Sequence, residues 1–298
     1  MRMTVRLMTT RRWTTRRWTT RRWTTRLMGV TVALACAAPV LLAQDRDRDR
    51  PSGPDFTWDG AMQAGRTLYV RNLNGTIRVT KADGDRASVV ATKRWRRGDP
   101  ADVRVEQVKA SNTGDVIICA FWGERSTCDE RGYRSHNDND GWNWRGNRND
   151  VSVEFTVKLP VGVRVVVTSV NGEVSVEDAT AEVEASSVNG SVWAASSGGP
   201  VVAHSVNGDV RARMSSRGTK DLKFSSVNGT VIVQVPENTD AELSMSTVNG
   251  SVQSDFPVTI SGKLNPRRLH ATLGKGGPLI EMRTVNGDVR LRKVGSER

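Results

Sequence analysis

Side chains that could recognise a ligand recur at a fixed distance from Asn-Gly pairs. The position four after the asparagine holds Ser175, Trp193, Arg211, Ile232, Gln253 and Arg290. An indole ring can stack on a flat apolar ligand surface, and Arg and Asp side chains form charge-assisted hydrogen bonds. With Asp209 close by, this column predicts a binding face made of Trp193, Asp209, Arg211, Ile232 and Arg290.

Groups suited to catalysis are scarce, since the chain has three histidines, two tyrosines and three cysteines. His204 and His270 stand apart from any Ser-His-Asp set or carboxylate pair, and His204 is expected to point outward. We therefore predict a protein that is not an enzyme and that has no cofactor and no metal. The alternative is a carbohydrate-active β-helix, resembling a polysaccharide lyase, that uses Asp209 and Arg211.

A second candidate binding region is the loop 123–150, which has almost no aliphatic residues and carries Trp142 and Trp144. These tryptophans could stack on a sugar or peptide. A calcium loop is not supported, because His136 occupies its first ligand position. The alternative interpretation is a disordered insertion, which this composition also favours.

The elements that must position these residues are repeats built around seven Asn-Gly pairs. They are Asn74-Gly75, Asn171-Gly172, Asn189-Gly190, Asn207-Gly208, Asn228-Gly229, Asn249-Gly250 and Asn286-Gly287. Apolar residues stand six and four before each asparagine and three after it, so a half-buried strand enters and another leaves each pair. Asn and Gly both tolerate positive φ and suit a sharp corner.

The spacing favours an all-β fold of the β-solenoid type, a single-stranded β-helix of about 18–21 residues per coil. Small inward residues suit its narrow core, and stacked Asn and Ser/Thr side chains could hydrogen-bond along the stack. A β-meander or sandwich, in which each Asn-Gly is a hairpin tip, is the alternative.

Residues 1–43 contain nine arginines and no acidic residue, and they end in an apolar run that starts at Leu27. This pattern predicts a signal peptide and an exported, periplasmic, cell-envelope or extracellular protein. The route stays open between cleavage after Ala43, lipidation at Cys36 and a twin-arginine pathway. The other 255 residues carry 35 basic and 32 acidic side chains, so neither nucleic-acid binding nor a membrane span in the mature chain is expected.

The remaining chain divides by composition. Residues 44–66 are predicted to be a charged flexible linker, 67–160 an N-terminal β portion that begins or caps the solenoid, and 161–293 the Asn-Gly solenoid. In an oxidising compartment, Cys119 and Cys128 are expected to form a disulfide.

The stretch FTVKLPVGVRVVVTSVNGEVSVEDATAEVEASSVNGSVWA (155–194) resembles the bacterial putative-adhesin family, a domain of unknown function with β-helical members. It is also similar to the head domain of autotransporter adhesins. The segment 271–293 is similar to the terminal rung of such proteins. The resemblance implies an exported, non-catalytic domain that binds an envelope glycan or surface protein or acts as a scaffold, and it brings no binding residues. A regulatory component of the envelope stress response is a further alternative.

Overall fold

The computed structural model describes residues 55–123, 126–135, 150–216, 218–260 and 265–295. The predicted signal peptide 1–43, with Cys36, lies outside the described residues, as do Trp142 and Trp144.

The described residues form strands and one short 3-10 helix, Pro100–Asp102. In chain order the strands are β1 (Phe56–Ala61), β2 (Thr67–Arg71), β3 (Ile77–Lys81), β4 (Arg86–Arg94), β5 (Val103–Val108), β6 (Val116–Trp122), β7 (Ser126–Asp129), β8 (Gly132–Ser135), β9 (Ser152–Leu159), β10 (Arg164–Asn171), β11 (Val174–Ala179), β12 (Val183–Asn189), β13 (Val192–Ser196), β14 (Val201–Asn207), β15 (Val210–Met214), β16 (Leu222–Ser225), β17 (Val231–Val235), β18 (Ala241–Ser246), β19 (Val252–Ser254), β20 (Thr259–Ile260), β21 (Arg268–Leu273), β22 (Leu279–Arg283) and β23 (Val289–Lys293).

Two parallel-rich sheets face each other across one core. Sheet A has the strand order β1-β4-β9-β3-β11-β13-β15-β17-β23-β19, and sheet B has the order β20-β21-β18-β22-β16-β14-β12-β10-β2-β6-β5. Each rung of the solenoid supplies one strand to each sheet. The rungs stack as β6/β9, β2/β3, β10/β11, β12/β13, β14/β15, β16/β17, β22/β23 and β18/β19.

The stacking is parallel and in register, so equivalent residues of successive repeats lie beside each other. Val165 pairs with Val183, and Val183 pairs with Val201. All three are fully buried in the core. This arrangement confirms the β-solenoid, and the meander is wrong because strands on either side of an Asn-Gly pair join different sheets.

Antiparallel strands cover the ends of the stack. At one end β4 pairs with β9, β1 pairs with β4, and β5 pairs with β6. At the other end β21 pairs with β18 and β20 pairs with β21. These pairings satisfy backbone groups that an open end of a parallel stack would leave exposed.

The corners are held by two ladders of side-chain hydrogen bonds. In the outer ladder, Asn189 Nδ2 donates to Asn171 Oδ1 at 2.8 Å, and the pattern continues from Asn207 to Asn189. In the inner ladder, Ser187 Oγ and Ser205 Oγ each donate to the glycine carbonyl of the neighbouring rung at 2.8 Å. The predicted hydrogen bonding along the stack is therefore present.

The glycines of these corners are required mainly by the stacking. A Cβ atom on Gly190 would lie 2.2 Å from the carbonyl oxygen of Gly172, and one on Gly172 would lie 2.1 Å from that of Gly75. Gly75 has φ +116, but the middle glycines Gly172 and Gly190 are not in the left-handed region. The positive-φ explanation is therefore incomplete, because close backbone approach excludes a side chain at every stacked corner.

The rungs do not follow one another in sequence order. Strand β22 pairs with β16 on one side and with β18 on the other, so the Asn286 rung lies between the Asn228 and Asn249 rungs. The expectation that 271–293 includes the terminal rung is wrong. All rungs share the same residue pattern, which leaves their order to the connections between them.

Two segments expected to lack regular structure contain strands. In the predicted flexible linker 44–66, β1 is paired with β4 along its whole length. In the predicted disordered loop 123–150, β7 and β8 form an antiparallel hairpin. Those two interpretations are corrected for residues 56–61 and 126–135.

Candidate ligand-binding face

The outer face of sheet A carries the column of residues that stands four after each asparagine. Parallel pairing places Trp193 between Ser175 and Arg211, and the column continues through Ile232 and Arg290. Neighbouring strands are about 4.8 Å apart, so each side chain stands beside those on the next rungs.

Trp193, Asp209 and Arg211 line one open cleft of about 370 Å³. Trp193 is partly buried, and Ser175 beside it is only 9% exposed. The remaining polar lining consists of Glu173, Glu177 and Ser191. The cleft therefore joins an aromatic ring to three carboxylates and one guanidinium on a rigid sheet.

The side chains around the ring are held in place by neighbouring rungs. Asp209 Oδ1 accepts a hydrogen bond from the Thr230 backbone N–H at 2.9 Å, and Asp209 Oδ2 lies 3.5 Å from the Arg211 guanidinium. The Ser191 hydroxyl accepts from the Asp209 backbone N–H at 3.2 Å. Since the Asp209 carboxylate accepts a hydrogen bond from the next rung, it is oriented before any ligand arrives.

Two of the five predicted face residues lie on the same side of the solenoid but outside the cleft lining. Ile232 follows Arg211 in register, and Arg290 follows Ile232. Arg290 is paired with Asp288 at 2.7 Å. The pKa of Asp288 is lowered first by the Ser251 backbone N–H, then by the Ser251 hydroxyl and by Arg290.

Sequence reasoning missed Glu173 and Glu177, which are exposed at the edge of the cleft. The sequence does contain a pattern that indicates Glu173: this residue stands two positions after Asn171, just as Asp209 stands two positions after Asn207. Glu177 is held by the Ser175 hydroxyl, which donates to Glu177 Oε1 at 3.1 Å.

The outer face of sheet B carries a line of polar side chains on β10, β12, β14 and β16. Ser186 Oγ donates to Thr168 Oγ1 at 3.1 Å, and His204 Nδ1 lies 2.9 Å from Ser225 Oγ. His204 points outward, as expected. Its pKa is lowered, mainly because burial penalises the charged ring.

The β7–β8 hairpin is attached to the solenoid by a disulfide between Cys119 of β6 and Cys128 of β7. Around it, Ile117 and Phe121 form a small apolar cluster separate from the main core, with Tyr133 packed against it. The hairpin therefore covers the outer side of the first rung of sheet B.

In the part of the chain that the structure describes, no three His, Cys, Asp or Glu residues cluster closely enough to hold a metal ion. Within the same residues, no helix has the length and apolar character needed to cross a membrane.

Comparison with known proteins places the repeats in a family. The model of the Toastrack DUF4097 family matches residues 66–292. A putative cell adhesion protein from Clostridium sporogenes ATCC 15579 is 10% identical, with a TM-score of 0.41 over 80% of this chain and 99% of that chain. A putative adhesin from Bacteroides fragilis NCTC 9343 is 13% identical, with a TM-score of 0.33 over 80% of this chain and 96% of that chain. No curated protein matches the sequence.

Proposed function

The chain belongs to the Toastrack DUF4097 family. From this premise we propose that it is an exported, non-enzymatic protein of the cell envelope, and that it binds a glycan on the outer face of sheet A. The observation that carries this proposal is the cleft around Trp193. It presents an aromatic ring beside hydrogen-bonding groups that neighbouring rungs hold in place.

The chemistry of the cleft suits a sugar ring. The apolar C–H face of a pyranose can lie on the indole of Trp193, which buries apolar area on both partners. Sugar hydroxyls donate to carboxylates such as Asp209 and Glu173, and they accept from the Arg211 guanidinium. A cleft of about 370 Å³ is at the small end of ligand sites, which fits one or two sugar units of a longer chain.

Export is supported by composition and by the cysteine chemistry. Residues 1–43 hold nine arginines without an acid, followed by an apolar run. The Cys119–Cys128 bond is of a kind that persists in oxidising compartments.

A glycan array followed by calorimetry tests the proposal with the exported protein and Trp193→Ala. We expect the variant to bind the best array ligand roughly tenfold or more weakly, because it loses the stacking surface. Val202→Ala is the matched control, since Val202 is partly buried on the outer face of sheet B. Equal affinity of wild type and Trp193→Ala would refute the site.

A second assay, which follows the length of the glycan after incubation with the protein, separates binding from catalysis. If the protein depolymerises an acidic polysaccharide and Asp209→Ala abolishes that turnover, the protein is an enzyme and the non-enzymatic assignment is wrong. Binding without any change in the length of the glycan supports it.

A further inference from the structure

We propose that the cleft between the β7–β8 hairpin and the outer face of sheet B is a second binding site, which takes the carboxylate of an acidic sugar on Arg71. This site is on the opposite sheet from Trp193 and does not depend on the glycan site proposed there.

Arg71 is a buried cation whose hydrogen bonds are incomplete. The residue is 6% exposed, although it lies on the outward side of β2, because the hairpin covers it. One terminal nitrogen donates to the Thr168 hydroxyl and the other to the backbone carbonyl of Glu130, at the tip of the hairpin. The third nitrogen, Nε, is buried and has no hydrogen-bond partner.

The counter-ion that a buried guanidinium needs is also missing from the described residues. No carboxylate among them lies within ion-pair distance of Arg71, and Glu184 and Asp129 act on it only at longer range. Burial lowers the pKa of Arg71. A buried arginine is normally matched by a carboxylate that forms two parallel hydrogen bonds.

The cleft beside Arg71 has room for such a group. It is about 600 Å³ and open to solvent, and it is lined by Tyr69, Thr168, Glu184 and Ser186 among others. Its charged lining consists of Arg71, Arg131, Arg164 and Lys220 against Glu130, Glu182 and Glu184, which leaves one positive charge in excess.

The arrangement of these charges favours a monoanion with hydroxyl groups. Glu182 is already engaged by Lys220 at 3.0 Å and by Arg164 at 4.0 Å, whereas no ion pair is formed by Glu184 within the described residues. Glu184 would repel a dianion such as a phosphate monoester, but it can accept a hydrogen bond from a sugar hydroxyl. Thr168 and Ser186 add hydroxyl groups beside it. A uronic acid unit satisfies Arg71 with its carboxylate and these residues with its ring hydroxyls.

The test uses tetragalacturonate as the probe and the exported protein, with binding measured by calorimetry. We expect wild type to bind tetragalacturonate. We expect it to bind the methyl ester of tetragalacturonate roughly tenfold or more weakly, because esterification neutralises the carboxylates. Arg71→Met is expected to lose binding to a similar extent while keeping or raising the thermal midpoint, because it removes a buried charge.

Two controls keep this test separate from the proposed function. Arg268→Met removes an exposed arginine at the far end of sheet B and is expected to leave tetragalacturonate binding unchanged. Trp193→Ala is expected to leave it unchanged as well. If Arg71→Met does not fold, the comparison of free and esterified probe on wild type still decides. Failure of wild type to bind tetragalacturonate, equal binding of both probes, or full binding by folded Arg71→Met overturns the proposal.

Discussion

Replacing Gly190 with alanine is expected to destabilise the solenoid far more than an ordinary Gly-to-Ala exchange. The new Cβ would lie 2.2 Å from the Gly172 carbonyl oxygen, 2.5 Å from its carbon and 3.0 Å from the Glu173 nitrogen. All three are backbone atoms, so they cannot rotate away as a flexible side chain would. The two rungs must separate at this corner.

The magnitude follows from what separation breaks. Overpacking a tight contact costs about 1–3 kcal/mol. Between these two rungs the corner also holds the bond from Ser187 to the Gly172 carbonyl and the bond from Asn189 to Asn171, each worth about 1 kcal/mol. We therefore expect the free energy of unfolding to fall by about 3–5 kcal/mol.

Chemical denaturation of wild type and variant measures this change, provided that the slope with denaturant stays constant. Gly84→Ala is the control, because Gly84 has no positive φ and its Cβ would meet nothing within 4 Å. That exchange is expected to be neutral or to stabilise by about 0.4–1 kcal/mol. If Gly190→Ala and Gly84→Ala unfold at the same denaturant concentration, the stacking explanation of the glycine column is refuted.

Two further predictions concern the hairpin and one corner carboxylate. Replacing both Cys119 and Cys128 with alanine opens a loop with a sequence separation of 9, and by loop entropy it should lower the free energy of unfolding by about 2–3 kcal/mol. Amide hydrogen exchange should then become faster across residues 126–135. An equal increase throughout the solenoid would contradict a local role of the disulfide. Asp288 has a lowered pKa in the folded protein, so its stabilisation is present above the unfolded pKa and is lost as pH falls through the folded pKa. Urea denaturation at pH 7 should therefore show Asp288→Asn to be less stable than wild type, and the difference in stability should shrink below the folded pKa. A difference that stays the same at low pH would show that the charge of Asp288 is not the cause.

The fold was largely predictable because its information is local and repeated. The residues six and four before each asparagine, such as Val183 and Ala185, are buried, and those between them face out. The order of the rungs could not be predicted, since the Asn286 repeat has the same pattern as its neighbours. The strand β1 was missed because charged residues upstream dominated the composition of 44–66, although Phe56 and Trp58 alternate with polar residues.

The candidate sites likewise divide into residues that the repeat pattern reveals and residues that only long-range contacts reveal. Trp193, Asp209 and Arg211 were found from column spacing, because stacking turns equal spacing into contact. Arg71 had no comparable signal. Its burial depends on a hairpin 59 residues away in the chain, and only the folded contact with Glu130 reveals it.

The position of the Asn286 rung has a consequence for how the molecule is assembled. Strands β18 and β19 precede β22 and β23 in the chain, yet β18 has β22 as its parallel neighbour and β19 has β23. In a polypeptide synthesised from its N-terminus, β18 and β19 therefore lack their parallel partners until residues 279–293 have emerged. A chain that ends before residue 279 would lack the rung β22/β23, and β18 and β19 would then have no parallel neighbour in the stack.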